Sequence, residues 1–345
     1  MTLMNAVIFS QFGPPSVLTP TRIERPEPGQ GEALVKIHSA GICYHDLLSR
    51  AGRIPRDQPG QVLGHEISGE VVKLGPGVAE SRLGERVVVY QRLYCGECRY
   101  CLAGRHDLCR HSRVLGESGG GGYAEFTCVP ARNLINVPDA VDLGAAALAV
   151  CPIGTSVRAL AGVAQVKPGD VVLITGAGGG LGLHQIQIAK AFNARVIAVT
   201  SSEQKGEAVR MAGADEVVIA PDLKFSRDVW RLTGKAGADI VLENVVSGTI
   251  GESLRSCAQN AAIVILGNIG TKPVEIDPGL LIVRRLRMSG SGNATYADVK
   301  MALNLIETGK VKPVINSVLP FPEVGRGHSL MEQRDTIGRI VLNGW

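Results

Sequence analysis

The sequence predicts an α/β protein of two domains, the first β-rich and the second a doubly wound six-stranded parallel sheet. Three observations carry this. Short apolar runs near the start of the chain alternate with polar residues and are separated by Pro and Gly clusters, as half-buried strands and turns require. From Val171 onward, apolar strand patterns begin at positions 171, 195, 216, 239, 261 and 286, and each interval has room for one crossover helix. A length of 345 residues predicts about two domains, and 45% hydrophobic with 20% charged content excludes a disordered or fibrous chain.

In the opening domain, Ala6-Val7-Ile8-Phe9 and Ala33 to His38 read as strands. Ile67 to Val72 and Arg86 to Tyr90 follow, with Gly75-Pro76-Gly77 as a turn between them. A net charge of +4 with no basic run gives nucleic acid no electrostatic footprint. Residues 1–13 lack a basic and apolar leader pattern, and no apolar run is long enough to cross a bilayer, so a cytoplasmic protein without a membrane partner is expected.

The stretch from Gly41 to Glu66 contains Cys43-Tyr44-His45-Asp46 and then Gly64-His65-Glu66. A thiolate and an imidazole suit zinc, and a catalytic zinc takes three protein ligands with one position left open. Cys151 is the candidate third ligand, because it stands where the first part of the chain ends and the nucleotide-binding pattern begins. Each of these residues alone reads as a buried structural side chain, and only the set points to a metal.

Further along, Cys95, Cys98, Cys101 and Cys109 place four thiols within fifteen residues that show no apolar periodicity. Four thiolates close a tetrahedral shell around zinc and staple an otherwise loose lobe, about 92–112; an iron–sulfur cluster also takes four Cys. Cys128 and Cys257 are left as buried structural thiols. Helical spacing begins near Asp142, with one helix expected to end near Val150 and another to start about Gly154.

The first strand of the parallel series, Val171 to Ile174, leads into Thr175-Gly176-Ala177-Gly178-Gly179-Gly180-Leu181-Gly182 and a helix over 181–192. Between a strand and a helix such glycines let the backbone approach a pyrophosphate at the helix N-terminus. The second strand ends at Thr200, where an NAD enzyme of this fold usually carries Asp or Glu. Thr200, Ser201, Ser202 and Lys205 offer hydroxyls and a cation instead, which predicts NADP(H) over NAD(H).

Gly-His-Glu and Cys-x-x-Asp in this order, the four-cysteine spacing and the glycine turn resemble the zinc-containing alcohol dehydrogenase family of the medium-chain dehydrogenase/reductase superfamily. That resemblance covers nearly the whole chain. It implies a GroES-like β-rich catalytic domain (1–152), a Rossmann domain (153–289), and a return segment (290–345) that completes the first. Two zinc ions per subunit are implied, a catalytic one on Cys43, His65 and Cys151 and a structural one on the four cysteines. Asp46 is expected to orient His65, and Glu66 to stand beside the ligands as a further carboxylate. Gly176, Ala177, Gly179, Gly180, Leu181, Gly182, Thr155 and Gly267 are candidate cofactor contacts, with Arg339 reaching the cofactor phosphates. The partner is a small-molecule substrate, and a homodimer or homotetramer formed through the nucleotide domains is expected, with 261–266 and 286–289 near that edge.

One departure concerns chemistry. The family usually has Ser or Thr two residues after the first Cys, a hydroxyl that passes the alcohol proton outward; here that place is His45, an imidazole that can relay protons. Cys-Tyr-x-Asp, Thr-Ser-Ser-Glu-Gln-Lys and Gly-Asn-Ile-Gly resemble the NADPH-dependent acryloyl-CoA reductase branch. The leading expectation is an NADP-linked alcohol dehydrogenase acting on an alcohol, aldehyde or ketone. The alternatives are a reductase of an activated C=C bond and a noncatalytic NADPH-binding protein.

Overall fold

The structure is a computed structural model and describes residues 2–55, 57–117, 120–268 and 270–345. Two compact units emerge: Met1–Gly154 with Thr295–Glu307 and Ile315–Trp345, and Thr155–Ala294 with Thr308–Val314. The return segment is therefore not all one piece. Residues 290–294 stay with the parallel sheet, and 308–314 are held there by α5, described below.

In the first unit, β1 (Leu3–Phe9) and β2 (Leu18–Glu24) form an antiparallel ribbon. The main sheet contains β3 (Glu32–Gly41), β4 (Glu66–Leu74) and β5 (Arg86–Val89). Helix α1 (Tyr44–Arg50) follows β3. The short pair β6 (Arg92–Leu93) and β7 (Arg113–Val114) brackets a loop that carries α2 (Arg99–Leu102). Strands β8 (Phe126–Pro130) and β9 (Leu134–Asn136) complete this part, β8 pairing with β3 and β9 with β5.

Alternation along β3 buries Ala33, Val35 and Ile37 while Lys36 and His38 are exposed, the period-2 pattern read from the sequence. Each buried Val, Ile or Leu stabilises the unit by about 1.5–3 kcal/mol. Antiparallel pairing sets Gly41 opposite Glu66, so the residues just after β3 and just before β4 leave the sheet side by side. That register brings Cys43 and His65 together.

Helix α3 (Leu143–Ala147) starts with Asp142 Oδ1 accepting from Ala145 N at 3.1 Å. The sequence predicts a break near Val150; instead the backbone keeps winding through 149–153 in wider turns before α4 (Gly154–Val157). The Ile153 N–H reaches back five residues to Leu148 O at 3.1 Å. Pro152 has no N–H to give and would clash with a tighter helix, so the wider turn admits it without a break. Cys151 sits on that turn.

The second unit is the doubly wound sheet. Its strands are β10 (Val171–Ile174), β11 (Arg195–Thr200), β12 (Glu216–Ile219), β13 (Ala238–Glu243), β14 (Cys257–Ile265) and β15 (Arg287–Gly290). They lie in the order β12-β11-β10-β13-β14-β15, all parallel. The crossovers contain α5 (Gly182–Ala191), α6 (Glu203–Met211), α7 (Ser226–Leu232), α8 (Ile250–Ser256) and α9 (Pro278–Arg284). From α5, Gln187 exchanges hydrogen bonds with Lys312 N (2.7 Å) and O (2.9 Å), and His184 Nε2 accepts from Val314 N at 3.0 Å. These bonds explain why 308–314 belong with this unit.

The chain returns to the first unit through α10 (Tyr296–Glu307), β16 (Ile315–Leu319), α11 (Val324–Glu332) and β17 (Arg339–Asn343). Strand β17 pairs antiparallel with β3, Val341 opposite Gly41, and Ile42 N donates to Ile340 O at 3.0 Å. Arg339 is thereby delivered to the edge from which Cys43 and His65 emerge. Among the described residues, no helix is long and apolar enough to cross a membrane.

Candidate metal centres and dinucleotide cradle

In the first unit, Cys43 caps α1, and its amide donates to Asp46 Oδ2 at 2.9 Å. The other oxygen, Asp46 Oδ1, lies 3.1 Å from His65 Nδ1. Both side chains are buried. The carboxylate can only accept, so His65 carries a proton on Nδ1, and Nε2 is the nitrogen left to bind a metal once it gives up its own proton. Ligand atoms of Cys43, His65, Glu66 and Cys151 all lie within 4.8 Å of one another. A tetrahedral zinc with bonds of about 2.0–2.3 Å needs ligand spacings of roughly 3.3–3.8 Å, which the 4.8 Å limit accommodates, so Cys43, His65 and Cys151 could hold one ion.

The electrostatics fit a cation as well. The hydrogen bond with Cys151 draws the Cys43 thiol well below the usual range against burial, and the Arg339 charge assists. That same hydrogen bond, together with burial, holds the Cys151 thiol well above its ordinary value. Burial pulls the His65 imidazole down, but the Asp46 carboxylate outweighs it and the group is held up.

Arg339 does not stand where the sequence reading put it. Its guanidinium is buried and clamps Glu66 through two bonds, Nη2 to Oε1 at 2.6 Å and Nε to Oε2 at 3.3 Å. Nη2 also lies 3.6 Å from Cys43 Sγ and 3.9 Å from Cys151 Sγ. The expected phosphate contact gives way to a carboxylate and two sulfurs, because the β17–β3 register fixes the arginine beside them. Burial pushes the Glu66 carboxyl up to about 7 against the opposing pull of Arg339. His45 Nε2 is 3.4 Å from Glu117 Oε1, and its ring meets that of His65 edge-on at 5.7 Å.

The four-cysteine lobe closes on itself. Sγ separations are 3.8 Å for Cys95–Cys101, 3.5 Å for Cys98–Cys101 and 3.6 Å for Cys109–Cys95, and all four lie within 4.8 Å of one another. A single tetrahedral ion with sulfur bonds of about 2.3 Å has edges of roughly 3.8 Å. Backbone hydrogen bonds from Glu97 and Cys98 lower the Cys95 thiol to about 6, while burial raises Cys101 to about 12. Cys128 and Cys257 stay outside both clusters, and burial pushes each up to about 12.

In the second unit, the loop from β10 to α5 turns at Gly176 with φ +58°. Gly182 is the position where only glycine fits, since a Cβ there would stand 2.5 Å from the Ala177 Cα and carbonyl oxygen. Among the described residues, the N–H groups of Gly180 and Leu181 have no backbone acceptor, as an anion site at a helix start requires. Gly179 N donates back to Gly176 O at 3.1 Å.

Thr200 closes β11, and Ser202 Oγ caps α6 by accepting from Lys205 N at 3.4 Å. The Lys205 stem crosses over Gly178, where a Cβ would lie 2.9 Å from the Lys205 Cβ. The first carboxylate after β11, Glu203, is engaged by Arg210 at 2.6 Å. Gly267 follows β14 against the Asn244 carbonyl, which a Cβ would approach to 2.3 Å. Thr155 is buried at the start of this unit, on α4.

Sequence reasoning missed several supporting residues. Glu243, fully buried at the end of β13, accepts from Thr175 Oγ1 (2.7 Å), Thr249 Oγ1 (2.9 Å) and the amides of Val245 and Val246 (3.0 and 2.9 Å). It ties the loop after β10 to the loop after β13. Glu117, Tyr123 and His328 were missed too, since nothing local marks them as neighbours of residues far away in the chain.

Residues 29–139 match the model of the alcohol dehydrogenase GroES-like domain, and residues 180–308 that of the zinc-binding dehydrogenase domain. The acryloyl-coenzyme A reductase of Metallosphaera sedula is 34% identical, covering 93% of this chain and 94% of that protein. An alcohol dehydrogenase of Geobacillus stearothermophilus is 32% identical over 98% of this chain and 99% of its own. The crystal structure of AibC superposes with a TM-score of 0.94 at 40% identity, covering 99% of this chain and 96% of that one. The chain is an oxidoreductase that belongs to the zinc-containing alcohol dehydrogenase family of the medium-chain dehydrogenase/reductase superfamily.

Proposed function

We propose that the protein transfers hydride between NADP(H) and an alcohol, aldehyde or ketone, with zinc in both cysteine clusters. The observation that supports this best is the convergence of the ligand atoms of Cys43, His65 and Cys151 to within 4.8 Å of one another. Zinc bound there supplies Lewis-acid polarisation of a substrate oxygen, and the nicotinamide supplies or accepts the hydride. Asp46 holds the Nδ1 proton of His65, so that Nε2 faces the sulfurs. Arg339 compensates Glu66 and lies beside both sulfurs, which keeps the charge of the buried cluster low. At the dinucleotide loop, the free amides of Gly180 and Leu181 would receive the pyrophosphate. Thr200, Ser201, Ser202 and Lys205 favour a ribose 2′-phosphate, as no carboxylate stands at the end of β11.

A second reading, reduction of the C=C bond of an unsaturated acyl thioester, is favoured by two features. Relatives named acryloyl-coenzyme A reductase match over more than 90% of the chain, and His45, paired with Glu117, replaces the usual hydroxyl. Oxidation of NADPH, followed with a saturated aldehyde or ketone and with an α,β-unsaturated thioester, separates the two. Turnover with the carbonyl is expected; turnover with the thioester alone establishes the second reading, and none with either removes both. A tenfold or greater preference for NADH overturns the cofactor assignment. Elemental analysis is expected to find two zinc ions per chain.

A further inference from the structure

The buried hydrogen bonds that begin at His65 do not end at Asp46. Tyr123 OH lies 3.0 Å from Asp46 Oδ2, and His328 Nε2 lies 3.2 Å from the same phenol oxygen. Both side chains have no exposed surface. Tyr123 is pinned at both backbone groups: its N–H donates to Leu63 O at 3.0 Å, and its C=O accepts from Val7 N at 2.7 Å. Its ring lies against Gly64, where a Cβ would stand 2.7 Å from two ring carbons. Gly64 also has φ +92°. The residue before His65 is thus a glycine for two reasons, its backbone angle and the phenol packed on it.

The proton positions follow from donor and acceptor capacity. An ionised Asp46 can only accept, so the Tyr123 O–H points to Oδ2. The phenol oxygen then accepts, and His328 donates from Nε2. Its Nδ1 has no hydrogen-bond partner among the described residues, a tolerable fate for a lone pair and a costly one for an N–H. Burial lowers the His328 pKa to about 3, so the ring stays neutral. The order is His328 Nε2–H to Tyr123 O–H to Asp46, with the Cys43 amide and His65 Nδ1–H converging on the same carboxylate. Every dipole in the chain points toward Asp46, and each bond polarises the next.

We propose that Tyr123 and His328 are positioning residues of the Cys43/His65/Cys151 centre, which set its metal affinity through the hydrogen bonds they direct at Asp46. The inference rests on the metal reading above but reaches residues that touch neither ligand nor substrate. A partner one hydrogen bond beyond a ligand, as Asp46 is to His65, typically changes metal affinity by about 10–100-fold when lost. Tyr123 stands one bond further out and His328 two, so the low end of that range is expected for Tyr123 and less for His328.

The test is competition for Zn2+ against a chelator, with the four-cysteine site as internal reference, and the visible spectrum of the Co2+-substituted chain. Tyr123→Phe is expected to weaken the His65 site about tenfold and to shift its cobalt bands, leaving the four-cysteine site unchanged. His328→Gln keeps a donor at the Nε2 position and is expected to match the parent; His328→Leu is expected to weaken the site a few-fold. Affinity within twofold of the parent in Tyr123→Phe overturns the proposal, as does equal loss of metal from both sites. Should Tyr123→Phe fail to fold, the Leu and Gln variants at His328 decide by differing or agreeing. A parent that binds one ion only, at the four cysteines, sinks the metal reading itself. A parent that binds two, with the variants unaltered, sinks only this extension.

Discussion

Among single residues, the clearest consequence belongs to Arg339. It forms a two-bond clamp on Glu66, which has no exposed surface. Removing one partner of a buried ion pair strands the other, at a cost of about 3–5 kcal/mol, whereas replacing both by apolar groups is often nearly neutral. Arg339→Leu is therefore expected to destabilise the metal-saturated protein by about 4 kcal/mol in denaturant unfolding. The double variant with Glu66→Leu should recover most of that. If the two single losses simply add, the clamp is not a coupled unit. Lysine is not expected to rescue, because it cannot reproduce the planar fork. A basic position near the chain end was legible from sequence; its partner was not, since Glu66 is 273 residues away and only the β17–β3 register brings them together. The ligands Cys43, His65 and Cys151 were legible because their side-chain chemistry is specific even when their neighbours are unknown.

Elements were read most reliably where a periodic pattern and a break coincide. All six strands of the parallel sheet fall at the predicted positions to within a few residues, because each is an apolar run bounded by polar or glycine-rich turns. The stretch around Cys151 was misjudged. The break expected between Val150 and Gly154 does not occur, because the wider turn from Leu148 to Ile153 absorbs Pro152. Helix α7 shows an interaction that no local pattern reveals. Its first amides, from Phe225 and Ser226, donate to Glu252 Oε2 on α8 at 2.9 and 2.7 Å. Although burial raises its pKa, Arg255 and these donors prevail, and the Glu252 carboxyl falls from 4.5 to about 2. Its folded value is depressed, so its contribution is fully present above pH 4.5 and fades as pH falls toward 2. Glu252→Gln should cost about 2 kcal/mol at pH 6, and the gap to the parent should narrow by pH 3. A gap that stays constant across that range would mean the charge is not what stabilises the helix start.

At the scale of the whole molecule, the β15 edge of the parallel sheet is left uncovered by the described residues. Strand β15 ends the sheet order, and Arg287, Ser289 and Gly290 on it are exposed. Among the described residues no further strand pairs with it. Helix α9, just before it, leaves Ile282 75% and Val283 69% exposed. An unpaired strand edge is a template for another strand, and exposed aliphatics beside it add apolar area that water disfavours. We propose that a second copy of this chain answers both needs at once. Around a two-fold axis β15 would meet itself antiparallel, and each copy's α9 would extend the contact, as a self-complementary interface requires. The expected parent is a dimer, or a tetramer that uses this edge as one of its contacts. Ile282→Asp with Val283→Asp places two charges where the partner would sit, without touching the dinucleotide loop or either cysteine cluster. Sedimentation velocity should then show the mass halved, dimer to monomer or tetramer to dimer, with zinc content unchanged. A variant that keeps the parent's mass would move the association surface away from β15 and leave its edge to be protected by its shortness and by Arg287.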